Sequence, residues 1–130
     1  MKNIYISRPL RENLRHSYKL IEQVIEKKIK DKEIESDPKD RYEILKYYYW
    51  TENTDIPLSD YYVYYERRLI NIAMSDLVIF IEDWLNLIEC KFDLEIIKLF
   101  KETNHLIFKS SIDSNGKIDL KLVEGLPQKL

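Results

Sequence analysis

The apolar run Leu77–Ile81 constrains the fold of this chain more than any other feature. Acidic residues flank the run, with Asp76 before it and Glu82 after it. A short segment that is apolar at every position is typical of a strand covered on both faces. Such strands occur mainly in parallel sheets that carry helices on both sides. The run therefore predicts an α/β protein.

Patterns of helix and strand alternate around this run. Apolar residues recur every three or four positions from Leu14 to Ile29, from about Asp60 to Met74 and from about Cys90 to Glu102, which predicts three helices. The segments Ile4–Ile6 and Leu106–Phe108 predict further strands. At 130 residues the chain suits a single domain. This order predicts a flavodoxin-like (Rossmannoid) three-layer sandwich with a four- to five-stranded, mainly parallel sheet.

Three further segments lie between and after these elements. Asp31–Asp40 is charged and contains Pro38, which predicts a loop. In Tyr42–Trp50 the aromatic residues favour a strand, although the spacing of the larger residues also fits a helix face. The tail, residues 110–130, carries Ser114–Gly116 between apolar residues and predicts a hairpin or one extra strand.

The scarcity of glycine excludes several classes of protein. The chain contains only Gly116 and Gly125, whereas phosphate loops and dinucleotide fingerprints need glycines where the backbone approaches phosphate. The ordinary P-loop NTPase, kinase and dehydrogenase interpretations are therefore excluded. One cysteine, Cys90, and two histidines are too few for a disulfide framework or a typical zinc site. We predict neither a metal nor a cofactor.

Charge and hydropathy limit the partners. The net charge of −2 gives no general attraction for nucleic acid, which favours a basic face. The longest clean apolar run is too short to cross a bilayer, and the first residues lead directly into a predicted strand without a signal segment. We therefore expect a cytoplasmic protein with no nucleic-acid partner and no membrane partner.

The predicted sheet also locates a candidate site. In open α/β sheets, ligands bind beyond the carboxyl ends of the strands, where the strand order reverses. That rule points to Ser7–Pro9 after the first strand and to Glu82–Asn86 after Leu77–Ile81. We expect the two turns to meet around one cavity. The start of the third helix, whose free N–H groups favour anions, should complete it.

Four motifs in these segments resemble the nucleoside 2-deoxyribosyltransferase superfamily, especially its short phage and bacterial members. They are the strand and turn Ile4–Pro9, the Tyr and Arg pair in Tyr64–Arg68, the strand start Asp76–Val78, and Trp84. Arg8 stands where the family usually has glycine. The resemblance covers about residues 3–108, and it is carried by the order and spacing of these motifs.

The resemblance implies a reaction and the residues for it. Members of the family break or exchange the N-glycosidic bond of deoxynucleosides or their monophosphates and assemble as homo-oligomers. A carboxylate attacks or shields C1′ while a second carboxyl group assists the departing base, in the manner of glycosidases. Counting on from Trp84 without gaps puts Glu89 at the family's glycine, Cys90 at its small residue and Asp93 at its catalytic Glu.

Two departures alter this catalytic motif. Asp93 is one methylene shorter than Glu, and a misplacement of about 1 Å can cost on the order of a hundredfold in rate. Glu89 adds negative charge where an anionic ligand would sit. Glu95 is an alternative nucleophile if residues were inserted before it, but on a helix it would point away from the face of Asp93. We rank Asp93 above Glu95.

The remaining candidate residues would bind the ligand. Ser7, Arg8 and Asn86 would hold its polar groups, while Tyr5 and Trp84 would flank it. A guanidinium can grip phosphate or carboxylate bidentately. The alternative for Arg8 is an ion pair with an acidic residue of the third helix, which would plug the pocket. For the two aromatic residues, the alternative is packing in the core.

Further acidic and basic residues have two interpretations each. Glu82, Asp83 and Glu89 either form an acidic rim that lines the site or belong to a solvated turn. We expect Arg67 and Arg68 to be partly structural and partly solvated.

Three functions are compatible with these patterns. The first is a nucleoside- or nucleotide-binding protein with altered or residual N-glycosidic activity. The second is a non-catalytic protein that sequesters or senses a nucleotide-like signal of the ADP-ribose type. The third is a structural interaction module that uses the aromatic segment Tyr47–Trp50.

Overall fold

The protein has an α/β fold built on a five-stranded mixed sheet. The computed structural model describes residues 2–34, 42–45, 58–100 and 103–125, and only the backbone of residues 58–63. The strands are β1 (Lys2–Ile6), β2 (Tyr42–Ile44), β3 (Leu77–Ile81), β4 (Asn104–Ile112) and β5 (Ile118–Gly125). The helices are α1 (Arg15–Lys30), α2 (Leu58–Ala73) and α3 (Ile88–Ile97), and short 3₁₀ turns occur at Glu12–Leu14 and Glu82–Trp84.

The strand order in the sheet is β2-β1-β3-β4-β5. The pairs β1–β2, β1–β3 and β3–β4 are parallel, and β4–β5 is antiparallel. The predicted α/β class is therefore confirmed. From β1 the chain goes to β2 on one side and later returns to β3 on the other side. The order therefore reverses between β1 and β3, and their carboxyl ends border the crevice where α/β proteins bind ligands.

The central strand β3 is buried along its whole length, as its apolar sequence predicts. Alternate strand residues point to opposite faces of the sheet, and two separate hydrophobic clusters result. One cluster joins Ile4, Ile6, Leu77, Ile79 and Ile81 to α1 through Tyr18, Ile21 and Ile25. The other joins Tyr5, Val78, Phe80 and Ile107 to Ile72 of α2 and Ile97 of α3.

The predicted helices are present, but the end of α3 differs. The helix stops at Ile97 instead of continuing to Glu102. Tight bonds from Leu99 N–H to the Ile96 carbonyl (2.9 Å) and from Phe100 N–H to the Ile97 carbonyl (3.0 Å) close this end. Phe100 still packs against the core from outside the helix. The apolar side chain of Phe100 therefore matches the helical spacing, although the residue lies outside the helix.

The tail forms a β-hairpin with an extended β4. The predicted strand Leu106–Phe108 is the centre of β4, and β5 runs back beside it. Part of the ambiguous segment, Tyr42–Ile44, is a strand, whereas Tyr47–Trp50 and residues 35–40 lie outside the described residues. Among the described residues, no helix is both long enough and apolar enough to span a membrane.

Candidate functional site

The carboxylate of Asp93 is the centre of the candidate site. Asp93 lies in the second turn of α3 and is 0% exposed. Its Oδ2 accepts hydrogen bonds from the Tyr5 hydroxyl (3.0 Å) and the Ser7 hydroxyl (2.7 Å). Arg68 donates from Nε to Oδ1 (2.9 Å) and from its terminal NH2 group to Oδ2 (2.5 Å). We call Tyr5, Ser7, Arg68 and Asp93 the Asp93 cluster.

Three elements place the members of this cluster. Tyr5 and Ser7 are two residues apart at the carboxyl end of β1, and so they point to the same face of the sheet. Arg68 comes from α2 and Asp93 from α3, which pack on that face. Arg68 donates two parallel N–H bonds to the Asp93 carboxylate, which is the bidentate geometry that a planar guanidinium favours.

Burial and charge both act on the ionisation of this cluster. Burial raises the pKa of the Tyr5 hydroxyl well above its usual value, against the opposing charge of Arg68. Burial by itself would lower the pKa of Arg68, but the charge of Asp93 and its hydrogen bonds act in the opposite direction, and the pKa lies above its ordinary value. Arg68 therefore stays charged and Tyr5 stays neutral, so that the contact between Arg68 and Asp93 lies beside an un-ionised hydroxyl.

Cys90 lies beside the cluster and is buried. Burial raises the pKa of its thiol to about 12, although Arg68 and a hydrogen bond with Ser7 act in the opposite direction. A thiol must ionise to act as a nucleophile. The thiol of Cys90 therefore stays protonated at neutral pH, and the residue packs in the hydrophobic core.

The turn after β1 and the start of α3 are joined directly. Glu89 Oε1 accepts a hydrogen bond from the Leu10 N–H (3.0 Å), and the Ser7 N–H donates to the Ile79 carbonyl of β3 (2.8 Å). The two turns therefore lie at the same end of the sheet, as predicted. Glu89 is only 3% exposed. The interpretation that Glu89 belongs to a solvated turn is therefore wrong, because its carboxylate accepts a hydrogen bond from a buried backbone N–H.

Arg8 is buried between β1, β2 and α1. It donates to the Leu45 carbonyl (2.9 Å), and its guanidinium carbon lies 5.6 Å from the Tyr5 ring centre and 5.2 Å from the Tyr18 ring centre. Such positions over aromatic rings favour a cation. The ion pair of Asp93 is formed with Arg68 and not with Arg8.

The other candidate residues lie away from the Asp93 cluster. Trp84 is buried in the core, with its ring centre 6.3 Å from that of Tyr18. Asp83 is exposed and accepts the Ser110 N–H (3.1 Å). Asn86 is exposed on the turn before α3. Glu95 faces solvent and pairs at 3.0 Å with Lys98, the residue that follows the last one of α3.

Sequence reasoning gave Arg68 no role in the site, although a signal was present. Arg68 shares a helix face with Tyr64 and Ile72, four residues to either side, and both of these are buried. A charged residue at such a position needs a buried partner. Its neighbour Arg67 is exposed on another face, and so the two arginines have separate environments.

Two cavities that are lined by described residues lie away from this cluster. One, of about 590 Å³, is lined by Glu26 and Ile29 of α1 and by residues 42–45. The other, of about 240 Å³, lies between the end of α1 and the β4–β5 hairpin. Within the described part of the chain, no group of acidic, histidine and cysteine side chains is arranged to hold a metal ion.

Comparisons with known proteins leave the family open. No family model matches the chain, and no curated protein or solved structure matches it.

Proposed function

We propose that this protein binds a nucleoside or nucleotide at the carboxyl ends of β1 and β3, within a flavodoxin-like fold. The resemblance to the nucleoside 2-deoxyribosyltransferase superfamily motivates the ligand class. One observation carries the proposal: Arg8, Arg68, Glu89 and Asp93 are each at most 4% exposed and converge at this point. Burying a charge costs several kcal/mol unless it is well paired, and clusters of such groups are characteristic of functional sites.

Binding without cleavage is the activity that the geometry supports best. A nucleophile has to come within about 3–3.5 Å of the atom that it attacks. Arg68, Tyr5 and Ser7 occupy both oxygens of the Asp93 carboxylate, which is fully buried. Asp93 could attack a sugar only after its ion pair opened, and breaking a buried pair costs about 3–5 kcal/mol. Asp93 is therefore proposed as a structural carboxylate.

Local charge favours an uncharged ligand group. Glu89 occupies the first turn of α3, where the free N–H groups of a helix would otherwise attract a phosphate. Arg68 already uses donors on Asp93. A deoxynucleoside should therefore bind more tightly than its monophosphate. An ADP-ribose-type ligand, whose phosphates would need Arg8, is the alternative.

Thermal unfolding with added ligand tests this proposal. Each deoxynucleoside, its monophosphate and ADP-ribose would be added in turn, and isothermal calorimetry would give the affinities. A ligand that binds only the folded state stabilises it by about 2.7 kcal/mol at a concentration of 100 Kd. We expect a deoxynucleoside to raise the melting temperature and Ser7→Ala to weaken its affinity about fivefold, because one net hydrogen bond is worth about 1 kcal/mol.

Ser114→Ala provides the matched control, since Ser114 is exposed on the hairpin turn. It should bind like the unchanged protein. If no nucleoside or nucleotide shifts the melting temperature, the binding proposal fails and the interaction module is favoured. If the two serine variants bound the ligand with equal affinity, the ligand would not contact Ser7 and the proposed site at the end of β1 would be wrong.

N-glycosidic cleavage is a second candidate, and one contact favours it. The Ser7 hydroxyl donates a hydrogen bond to Asp93. The motif after β1 and the position of the family's catalytic carboxylate, which carry the resemblance, are therefore in contact. Chromatography of each deoxynucleoside after incubation would detect free base. Cleavage would be supported by base release that Asp93→Asn abolishes and Glu95→Gln leaves unchanged. Without base release from any substrate, this candidate is excluded.

A further inference from the structure

The outer edge of β5 is a candidate surface for pairing with another strand. β5 is the last strand of the sheet, and among the described residues it pairs only with β4. Leu122 and Val123 on it are each 53% exposed. An exposed strand edge presents unpaired backbone groups to which another strand can add, and proteins normally protect such edges.

We propose that β5 pairs in antiparallel fashion with β5 of a second copy of this chain, about a twofold axis at Leu120. One continuous sheet would then run through both copies. The occupant is a second copy because the strand is complementary to itself in this register. This inference is independent of the proposed function.

The backbone of the hairpin is aligned for this pairing. The Asp113 N–H donates to the Lys117 carbonyl (2.9 Å). Backbone groups of successive residues in an antiparallel pair point alternately towards the partner strand and away from it. Counting from Lys117, the N–H and C=O groups of Ile118, Leu120 and Leu122 point outwards. A twofold axis at Leu120 joins these groups directly across the interface.

The side chains match in the same register. Residues opposite each other in an antiparallel pair lie on the same face. On the face that packs against α1, Leu120 would meet its own copy and Ile118 would meet Leu122. On the opposite face, Asp119 of each copy would meet Lys121 of the other. Apolar pairs and opposite charges are both favourable in such positions.

Neighbouring registers lack this match. An axis at Asp119 or at Lys121 brings a charge opposite its own copy, which is unfavourable. An axis at Ile118 still brings Lys117 opposite Asp119, but it places Leu120 opposite Gly116 of the turn. An axis at Leu122 places Glu124 opposite Leu120. The axis at Leu120 is therefore the register that the sequence of β5 favours.

An intramolecular repulsion supports the same partner. Lys121 lies directly opposite Lys109 in the register of β4 and β5. Within the described part of the chain, neither lysine forms an ion pair. Like charges in opposed positions destabilise a sheet. Asp119 of the second copy would lie on the free side of Lys121 and offset this repulsion.

The arrangement has a consequence for the candidate site. β5 strands that pair antiparallel also make the two copies of β1 and β3 antiparallel. The two Asp93 clusters would then lie at opposite ends of the shared sheet, with each site built from one chain.

Analytical ultracentrifugation over a concentration series tests the interface by charge exchange. Asp119→Lys places lysine opposite Lys121, and Lys121→Asp places aspartate opposite Asp119. Two pairs become repulsive in each case. We expect each single variant to raise the dimer dissociation constant at least about tenfold. The double variant Asp119→Lys, Lys121→Asp should restore the dimer.

Glu124→Lys is the control, because it changes the charge of β5 outside the proposed pairs. It should dimerise like the unchanged protein. Circular dichroism would verify that all variants are folded, and the two single variants test the same pair independently. The proposal is overturned if the unchanged protein is monomeric, if both single variants remain dimeric or if the double variant stays monomeric.

Discussion

Arg68 and Asp93 form a buried ion pair that joins α2 to α3, and Tyr5 and Ser7 connect it to β1. The carboxylate oxygens are fully engaged by these donors. Removing one charge of such a pair leaves the other in a desolvated position without its partner. Replacing one member of the pair should therefore destabilise the protein more than replacing both members with apolar residues.

We expect Arg68→Met to lower the free energy of unfolding by about 3–5 kcal/mol, because it leaves the Asp93 charge buried and unpaired. Urea unfolding measures the change. Arg67→Met is the matched control on the same helix, and because solvent screens the interactions of its exposed side chain, it should lose at most about 1 kcal/mol. The double variant Arg68→Met, Asp93→Leu should lose less than the sum of its two single variants. Equal losses from Arg67→Met and Arg68→Met would contradict the structural role of the pair.

Cys90 makes stability depend on pH in the alkaline range. Burial raises the pKa of its thiol from 9.0 to about 12. In the unfolded chain the thiol ionises first, so that its contribution is complete below pH 9 and is lost as the pH rises towards 12. Between about pH 8 and 10.5, the unchanged protein should lose about 2 kcal/mol more than Cys90→Ala. Urea unfolding at both pH values measures this difference, and parallel losses in the two proteins would show that Cys90 does not titrate as described.

At the scale of elements, the turn of the β4–β5 hairpin is organised by a single side chain. Asp113 Oδ1 accepts the N–H groups of Asn115 (2.8 Å) and Lys117 (2.9 Å). Gly116 has a φ of 78°, a conformation that glycine adopts without steric cost. The turn thus has the Asp and Gly that its backbone requires.

Asp113→Ala should destabilise the protein by about 1 kcal/mol, because two N–H groups of the turn lose their side-chain acceptor and bind water instead. Asp113→Asn keeps the acceptor oxygen and should retain most of the stability. Thermal unfolding compares the two, with Ser114→Ala as the exposed control. If alanine and asparagine were equivalent at this position, the side-chain bonds would contribute nothing.

The whole molecule brings distant segments together at one end of its sheet. Because the strand order reverses between β1 and β3, the turn after β1 lies next to the start of α3. Bonds from Ser7 to Asp93 and from Leu10 to Glu89 join these two regions across 86 and 79 residues of sequence. The opposite end of the sheet is joined by the Asp76 N–H, which donates to the Asn3 carbonyl (2.9 Å).

Most elements were predictable because their signals are local. The apolar run of β3 and the helical spacing of α1 depend on neighbouring residues, and both predictions agree with the structure. The candidate site was predictable only in part. Topology rules located Ser7 and the start of α3, since parallel strands end at one edge of a sheet. They did not show that Asp93 is fully buried or that Glu89 binds a backbone N–H.

Local side-chain patterns are enough to establish the α/β class, the order of helices and strands and the buried position of β3, because side-chain periodicity records which faces avoid water. The pairing of Asp93 with Arg68 and the position of Arg8 between aromatic rings follow from the folded arrangement alone. The choice between two arginines depends on distances and desolvation, which arise once α2, α3 and β1 are packed together. Sequence spacing carries no such information for side chains 25 residues apart.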